Sequence, residues 1–127
     1  MSDDADNKMA LPPGTVLHGK YRLESVLGHG GFGITYYARD TSISREVAIK
    51  ECLPADFAWR EGTTVLPKAT QYKEDFEWAR ERFMEEARTL AQFDHPAIVK
   101  VYDIFEANDT SYMVTRYEPG WTLPEYL

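Results

Sequence analysis

Three glycines stand at the spacing G-x-G-x-x-G in Gly28, His29, Gly30, Gly31, Phe32, Gly33. A backbone without Cβ atoms can lay its N–H groups against phosphate oxygens, so this loop raises the question of phosphate binding. Further on, the apolar run Val47, Ala48, Ile49 ends in one cation, Lys50. A lysine on a strand is commonly just solvated at an edge. It is also a compact ammonium, the kind of charge that stabilises phosphate. The segment FMEE (83–86) then offers two carboxylates, Glu85 and Glu86. Phe76, Ala79, Phe83, Ala87 and Leu90 keep helical spacing and form one apolar stripe. At about 100° per residue, Glu86 lies about 60° from the centre of that stripe and Glu85 about 160° from it. Glu86 therefore flanks the buried face and Glu85 points to solvent. The plain alternative for Glu86 is a surface pair with Arg82, worth a few tenths of a kcal/mol.

The elements that must carry these residues follow from patterning. YRLESVL (21–27) alternates as a strand and runs into the glycine loop. ITYYARD (34–40) is rich in β-branched and aromatic residues, and REVAIKEC (45–52) reads as a third strand. Residues 53 to about 73 are punctuated by Pro54, Gly62 and Pro67, with room for a short strand at TTVL. The helix of the apolar stripe comes next and breaks at Pro96. VKVYDIFEA (99–107) and SYMVTRYE (111–118) are two further strands, joined by NDT in a hairpin turn. Thr122 and Glu125 have capping-box spacing and predict a new helix. The order predicts an α+β fold: a five-stranded, mostly antiparallel sheet with one long helix. Residues 1–14, charged and then closed by Pro12, Pro13 and Gly14, read as a flexible acidic tail.

Context decides which phosphate loop this is. A dinucleotide fold needs a helix directly after the loop, and here a strand follows. The G-x-x-x-x-G-K-[ST] loop has its two glycines and Thr35, but Ile34 stands in place of lysine and again no helix follows. The remaining arrangement is a glycine loop joining two antiparallel strands and closing over a nucleotide as a flap.

With VAIK on the third strand, a helix glutamate, HPAIV (95–99) and YMVTRYEPG (112–120) in that order, the sequence from about residue 20 to 127 resembles the eukaryotic-like protein kinases, most closely their bacterial serine/threonine branch. The resemblance implies a kinase N-lobe over 15–127, with an insert at about 53–73, a hinge at about 116–120 and the start of the first C-lobe helix. It implies ATP as the ligand. Gly28, His29, Gly30, Gly31, Phe32 and Gly33 would cover the phosphates. Lys50 would hold the α- and β-phosphates, and Glu86 would pair with Lys50. Leu27 and Ala48 match the adenine sandwich. Thr35 stands where the family usually has Val, adding a hydroxyl to an apolar contact. Thr115 falls at the gatekeeper position, small enough to leave a back pocket open. Arg116 and Glu118 fall where backbone groups bond adenine, and the family usually has Glu at the position of Arg116. His95 is a structural turn residue in this pattern.

The family's base motif H-R-D-x-x-x-x-N and its D-F-G metal motif do not occur in these 127 residues. Mg2+ is therefore expected only with the missing C-lobe, which would also bring the protein substrate, and this segment alone is expected to be inactive. A different class of reading is a pseudokinase-like or stand-alone N-lobe that acts as a protein-interaction module. A dimer through exposed lobe surface also fits. The net charge of −7 argues against broad binding to nucleic acid or anionic lipid. The single cysteine, Cys52, excludes an internal disulfide, has no signal of reactivity and suits a reducing cytoplasm. No stretch approaches the roughly 18 apolar residues of a membrane span, and the acidic N-terminus lacks the apolar segment of a secretory signal.

Overall fold

The computed structural model describes residues 9–93 and 99–117. The chain runs β1 (Val16–Leu17), β2 (Tyr21–Gly30), β3 (Gly33–Asp40), β4 (Arg45–Cys52), β5 (Ala58–Glu61), β6 (Thr64–Pro67), a 3-10 turn (Thr70–Tyr72), α1 (Lys73–Ala91), β7 (Val101–Ala107) and β8 (Thr110–Arg116). One antiparallel sheet has the order β1-β2-β3-β4-β8-β7. Its five long strands are those expected, with β1 added at an edge. Together with α1 they form the expected arrangement of one long helix beside a mostly antiparallel sheet.

Local chemistry explains the joints. Asn108 and Asp109 between β7 and β8 have φ of 53° and 58°. A tight hairpin turn of the primed type needs positive φ at both central residues, and Asn and Asp tolerate it best after glycine. The helix begins with Glu74 and Asp75 in its first turn and ends with Arg88 in its last, matching the helix dipole at both ends. Of its apolar stripe, Phe76 and Ala87 are buried, while Ala79, Phe83 and Leu90 are half-buried. Ala79 and Phe83 line a cavity between α1 and the sheet.

The two faces of the sheet are covered differently. Side chains alternate along each strand, so Ile49 and Glu51 of β4 face away from Ala48 and Lys50. The Ile49 face carries most of the core: Ile34, Tyr36, Val47, Tyr112 and Val114 are all buried there. Leu11 and Leu17 from the N-terminal segment belong to the same cluster, as do Ala58 and Val65 from the insert. The insert is thus a folded β5–β6 hairpin and not a loose loop.

Residues 9–14, read from sequence as tail, are part of this packing. Leu11 is 3% exposed, and its N–H donates to the Tyr36 hydroxyl at 3.0 Å. The Gly14 N–H donates to the Leu23 carbonyl at 2.7 Å. Prolines and charges around Leu11 hid a short apolar anchor, in which Met9 and Ala10 also pack against the core. The predicted helix from 122, His95, Glu118 and most of the predicted hinge lie outside the described residues.

Candidate nucleotide site

The glycine loop is the turn of the β2–β3 hairpin. Gly28 pairs with Thr35, His29 with Ile34 and Gly30 with Gly33, leaving Gly31 and Phe32 at the tip. The register slips between Val26 and Gly28, a bulge that turns the half-exposed Leu27 out of the regular alternation. A Cβ added at Gly28, Gly30 or Gly31 would meet nothing within 4 Å. Nor is any of the three among the glycines with positive φ, which among the described residues are Gly14, Gly19 and Gly62. Among the described residues, neither packing nor backbone conformation requires glycine at these three positions. Gly33 differs: a Cβ there would lie 2.0 Å from the Glu51 carbonyl oxygen. The tip is also tied to the chain after β4. The Phe32 carbonyl accepts from the Leu53 N–H at 3.0 Å, and the Gly31 carbonyl from the Ala55 N–H at 2.9 Å.

Behind the hairpin, β4 presents Ala48 and Lys50 on one face. Lys50 stands opposite Thr35 on β3 and Met113 on β8, and Ala48 opposite Tyr37 and Thr115. Thr35, Lys50, Ala48 and Thr115 therefore form one patch beside the glycine hairpin. Lys50 is 6% exposed and Thr115 and Ala48 are 1% exposed. Arg116 is exposed, and its N–H is taken by the Lys100 carbonyl at 3.0 Å.

Lys50 and Glu86 line the same cavity of about 290 Å³, with Phe32, Trp78, Arg82 and Phe83 around it. They are not ion-paired with each other. The Glu86 carboxylate is 53% exposed and meets Arg82 at 3.8 Å, one helical turn away. The structure thus brings the predicted lysine and glutamate to one cavity but shows the surface pair weighed against their contact. Phe32, at the tip, is 67% exposed and reaches the same cavity. His29 is exposed on the hairpin edge.

Sequence reasoning missed what lies on the other face of β4. Glu51, next to Lys50, is fully buried. Its Oε1 accepts from the Tyr36 hydroxyl at 2.9 Å and from Arg60 Nη2, and its Oε2 accepts from the Tyr112 hydroxyl at 2.5 Å. Arg60 belongs to β5 of the insert. Its Nε also donates to the Met9 carbonyl at 2.6 Å and its Nη1 to the Thr63 carbonyl at 2.7 Å. Burial works against the Arg60 charge, but the Glu51 carboxylate outweighs it and holds the guanidinium above its ordinary pKa. Burial, reinforced by the Glu51 charge, pushes both tyrosine hydroxyls far up. The available signal was an acid, Glu51, in the apolar end VAIKEC (47–52) of a strand and one base in the alternation of AWRE (58–61). Cys52 is buried as well, and burial raises its thiol to about 11, against a partly offsetting hydrogen bond from Thr110.

The protein kinase domain family matches residues 21–127. The serine/threonine-protein kinase PrkC of Bacillus subtilis is 38% identical over 114 residues, which are 90% of this chain and 15% of PrkC. The serine/threonine-protein kinase PknB of Mycobacterium leprae is 36% identical over 119 residues, 91% of this chain and 16% of PknB. The chain therefore spans about a sixth of the length of these relatives. The structure titled PpkA-294 apo form superposes with a TM-score of 0.83 at 33% identity, covering 87% of this chain and 39% of that one. With sheet, helix, glycine hairpin and strand lysine in the matching order, the chain belongs to the protein kinase domain family, of which it forms N-lobe.

Proposed function

We propose that these residues are the ATP-binding lobe of a protein kinase that transfers the γ-phosphoryl group to serine or threonine hydroxyls of proteins. One observation carries the reading. Gly28, Gly30 and Gly31 have open space where a side chain would stand and no conformational need for glycine, beside a nearly buried lysine. Close approach of a phosphate chain to the backbone gives those glycines a reason. In this reading Gly28, Gly30 and Gly33 frame the phosphates, with His29, Gly31 and Phe32 over them. Lys50 holds the α- and β-phosphates, and Glu86 leaves Arg82 to orient Lys50. Leu27, Ala48 and Thr35 enclose adenine, and Thr115, Arg116 and Glu118 line its inner edge. Mg2+ neutralises phosphate charge in such sites, and its ligands would come from outside the described residues.

The test is Mg·ATP binding and phosphotransfer by the full-length protein, with Lys50→Ala as comparison. ATP bound by the wild type and phosphotransfer lost in Lys50→Ala support the reading. Equal activity in both would overturn it.

A further inference from the structure

The insert after β4 does more than cover the outer face of the sheet. Its Arg60 reaches one residue beyond the proposed phosphate-binding lysine. Glu51 is held at both ends. Its carboxylate takes three donors from three elements: Tyr36 on β3, Tyr112 on β8 and Arg60 on β5. Its backbone carbonyl lies against Gly33, so close that no other residue fits there. The next residues, Leu53 and Ala55, donate their N–H groups to the two carbonyls at the hairpin tip. The chain from Lys50 to Ala55 is thus a brace under the glycine hairpin, and Arg60 supplies the only cation in contact with its buried acid among the described residues. The insert is anchored at a second point as well. The Val65 N–H donates to the Asn108 carbonyl at 2.9 Å, and Asn108 Nδ2 donates to the Tyr112 hydroxyl at 2.9 Å.

We propose that Arg60 is a positioning residue for phosphate binding: through Glu51 it fixes the strand end that aims Lys50 and braces the glycine hairpin. The inference rests on the ATP-binding reading given above. Without Arg60 the buried carboxylate has lost its counter-charge, and the strand end must shift or admit water. Such a shift reaches phosphates before it reaches adenine, because Ala48 and Thr115 sit further up the sheet, in register with Val101 and not with the hairpin tip.

The experiment compares Mg·ATP with adenosine, which lacks the phosphates, as ligands of the full-length protein. Arg60→Met, its folding checked by circular dichroism, is expected to bind adenosine as the wild type does and ATP about tenfold more weakly. Arg60→Lys keeps the charge but not the fork to both carbonyls, and is expected to recover part of the loss. A folded Arg60→Met with the wild-type ratio of ATP to adenosine affinity, or with equal losses for both ligands, overturns the proposal. Should Arg60→Met not fold, Arg60→Gln removes the charge while keeping a donor for the Glu51 carboxylate, and an unchanged ratio there overturns it equally. A wild-type protein that binds neither Mg·ATP nor adenosine, or a Lys50→Ala protein with wild-type phosphotransfer, instead defeats the ATP reading, and this inference with it. Loss in Lys50→Ala without loss in Arg60→Met defeats this inference alone.

Discussion

A Cβ on Gly33 would lie 2.0 Å from the carbonyl oxygen of Glu51, so the last glycine of the loop is fixed by the protein's own packing. Gly30, its partner across the hairpin, faces open space. Two glycines of one motif therefore serve different ends. Gly33→Ala should destabilise the full-length protein by about 2 kcal/mol or more, because backbone opposite backbone cannot give way as a flexible side chain would. Gly30→Ala should cost well under 1 kcal/mol and act on ATP affinity instead. Denaturant unfolding of the two variants checks this, and equal losses of stability would sink it.

Glu86, proposed above to orient Lys50, has little to hold up in the fold. Its pair with Arg82 is more than half exposed on both sides. Such pairs contribute about 0–1 kcal/mol, with helix pairs near the low end. Glu86→Gln should therefore leave the unfolding midpoint almost unchanged. If Glu86 turns to Lys50 during turnover, the same substitution should lower kcat by about tenfold or more, since that pair must be in place for phosphotransfer. Unchanged kcat in Glu86→Gln would count against the role assigned to it.

The strands and the helix were legible because their periodicities are clean. VAIK and the glycine spacing were legible because they are local in sequence. The Glu51–Arg60 pair was not, since its partners are joined only by the way β5 folds back on the sheet. The packing of Leu11 was hidden for the same reason: its partner Tyr36 lies across a hairpin and a turn. The helix stripe located Glu86 to one side of the buried face, but a stripe cannot tell how far a helix stands from its sheet. That distance leaves room for the cavity between Lys50 and Glu86.

Cys52 should be unreactive in the folded protein. Its thiol, ordinarily at 9.0, is raised by burial to about 11. At pH 8 about 0.1% of it is thiolate, the form that reacts with alkylating agents. Iodoacetamide at pH 8 should label Cys52 slowly in native protein and readily in urea, as read by peptide mass spectrometry. The same shift sets a sign for stability. The folded state holds this proton more tightly than the unfolded chain does. Its contribution is complete below pH 9 and is lost as pH rises through about 11. Tyr36 and Tyr112, raised by burial and the Glu51 charge, add to the loss in the same direction. Urea midpoints should fall from pH 8.5 upward, with Cys52 accounting for roughly 2–3 kcal/mol. Equal labelling with and without urea would refute the assignment.

The N-terminal segment offers the simplest test of the outer layer. Leu11 sits in the same cluster as Ile49, Tyr36 and the insert's Val65. Its backbone N–H is one of the two bonds that hold the Tyr36 hydroxyl, and the other is to Glu51. Leu11→Ala should cost about 3 kcal/mol, the usual range for emptying a buried leucine site. Val16→Ala, at a position 54% exposed on the neighbouring strand, should cost well under 1 kcal/mol. A segment that only decorates the lobe would give two small values. Two small values would also remove the support that the Met9 carbonyl lends to Arg60. A large value at Leu11 alone means that residues 9–14 and the insert form one layer with the sheet, and that shortening the chain past Leu11 loosens the brace beneath the glycine hairpin.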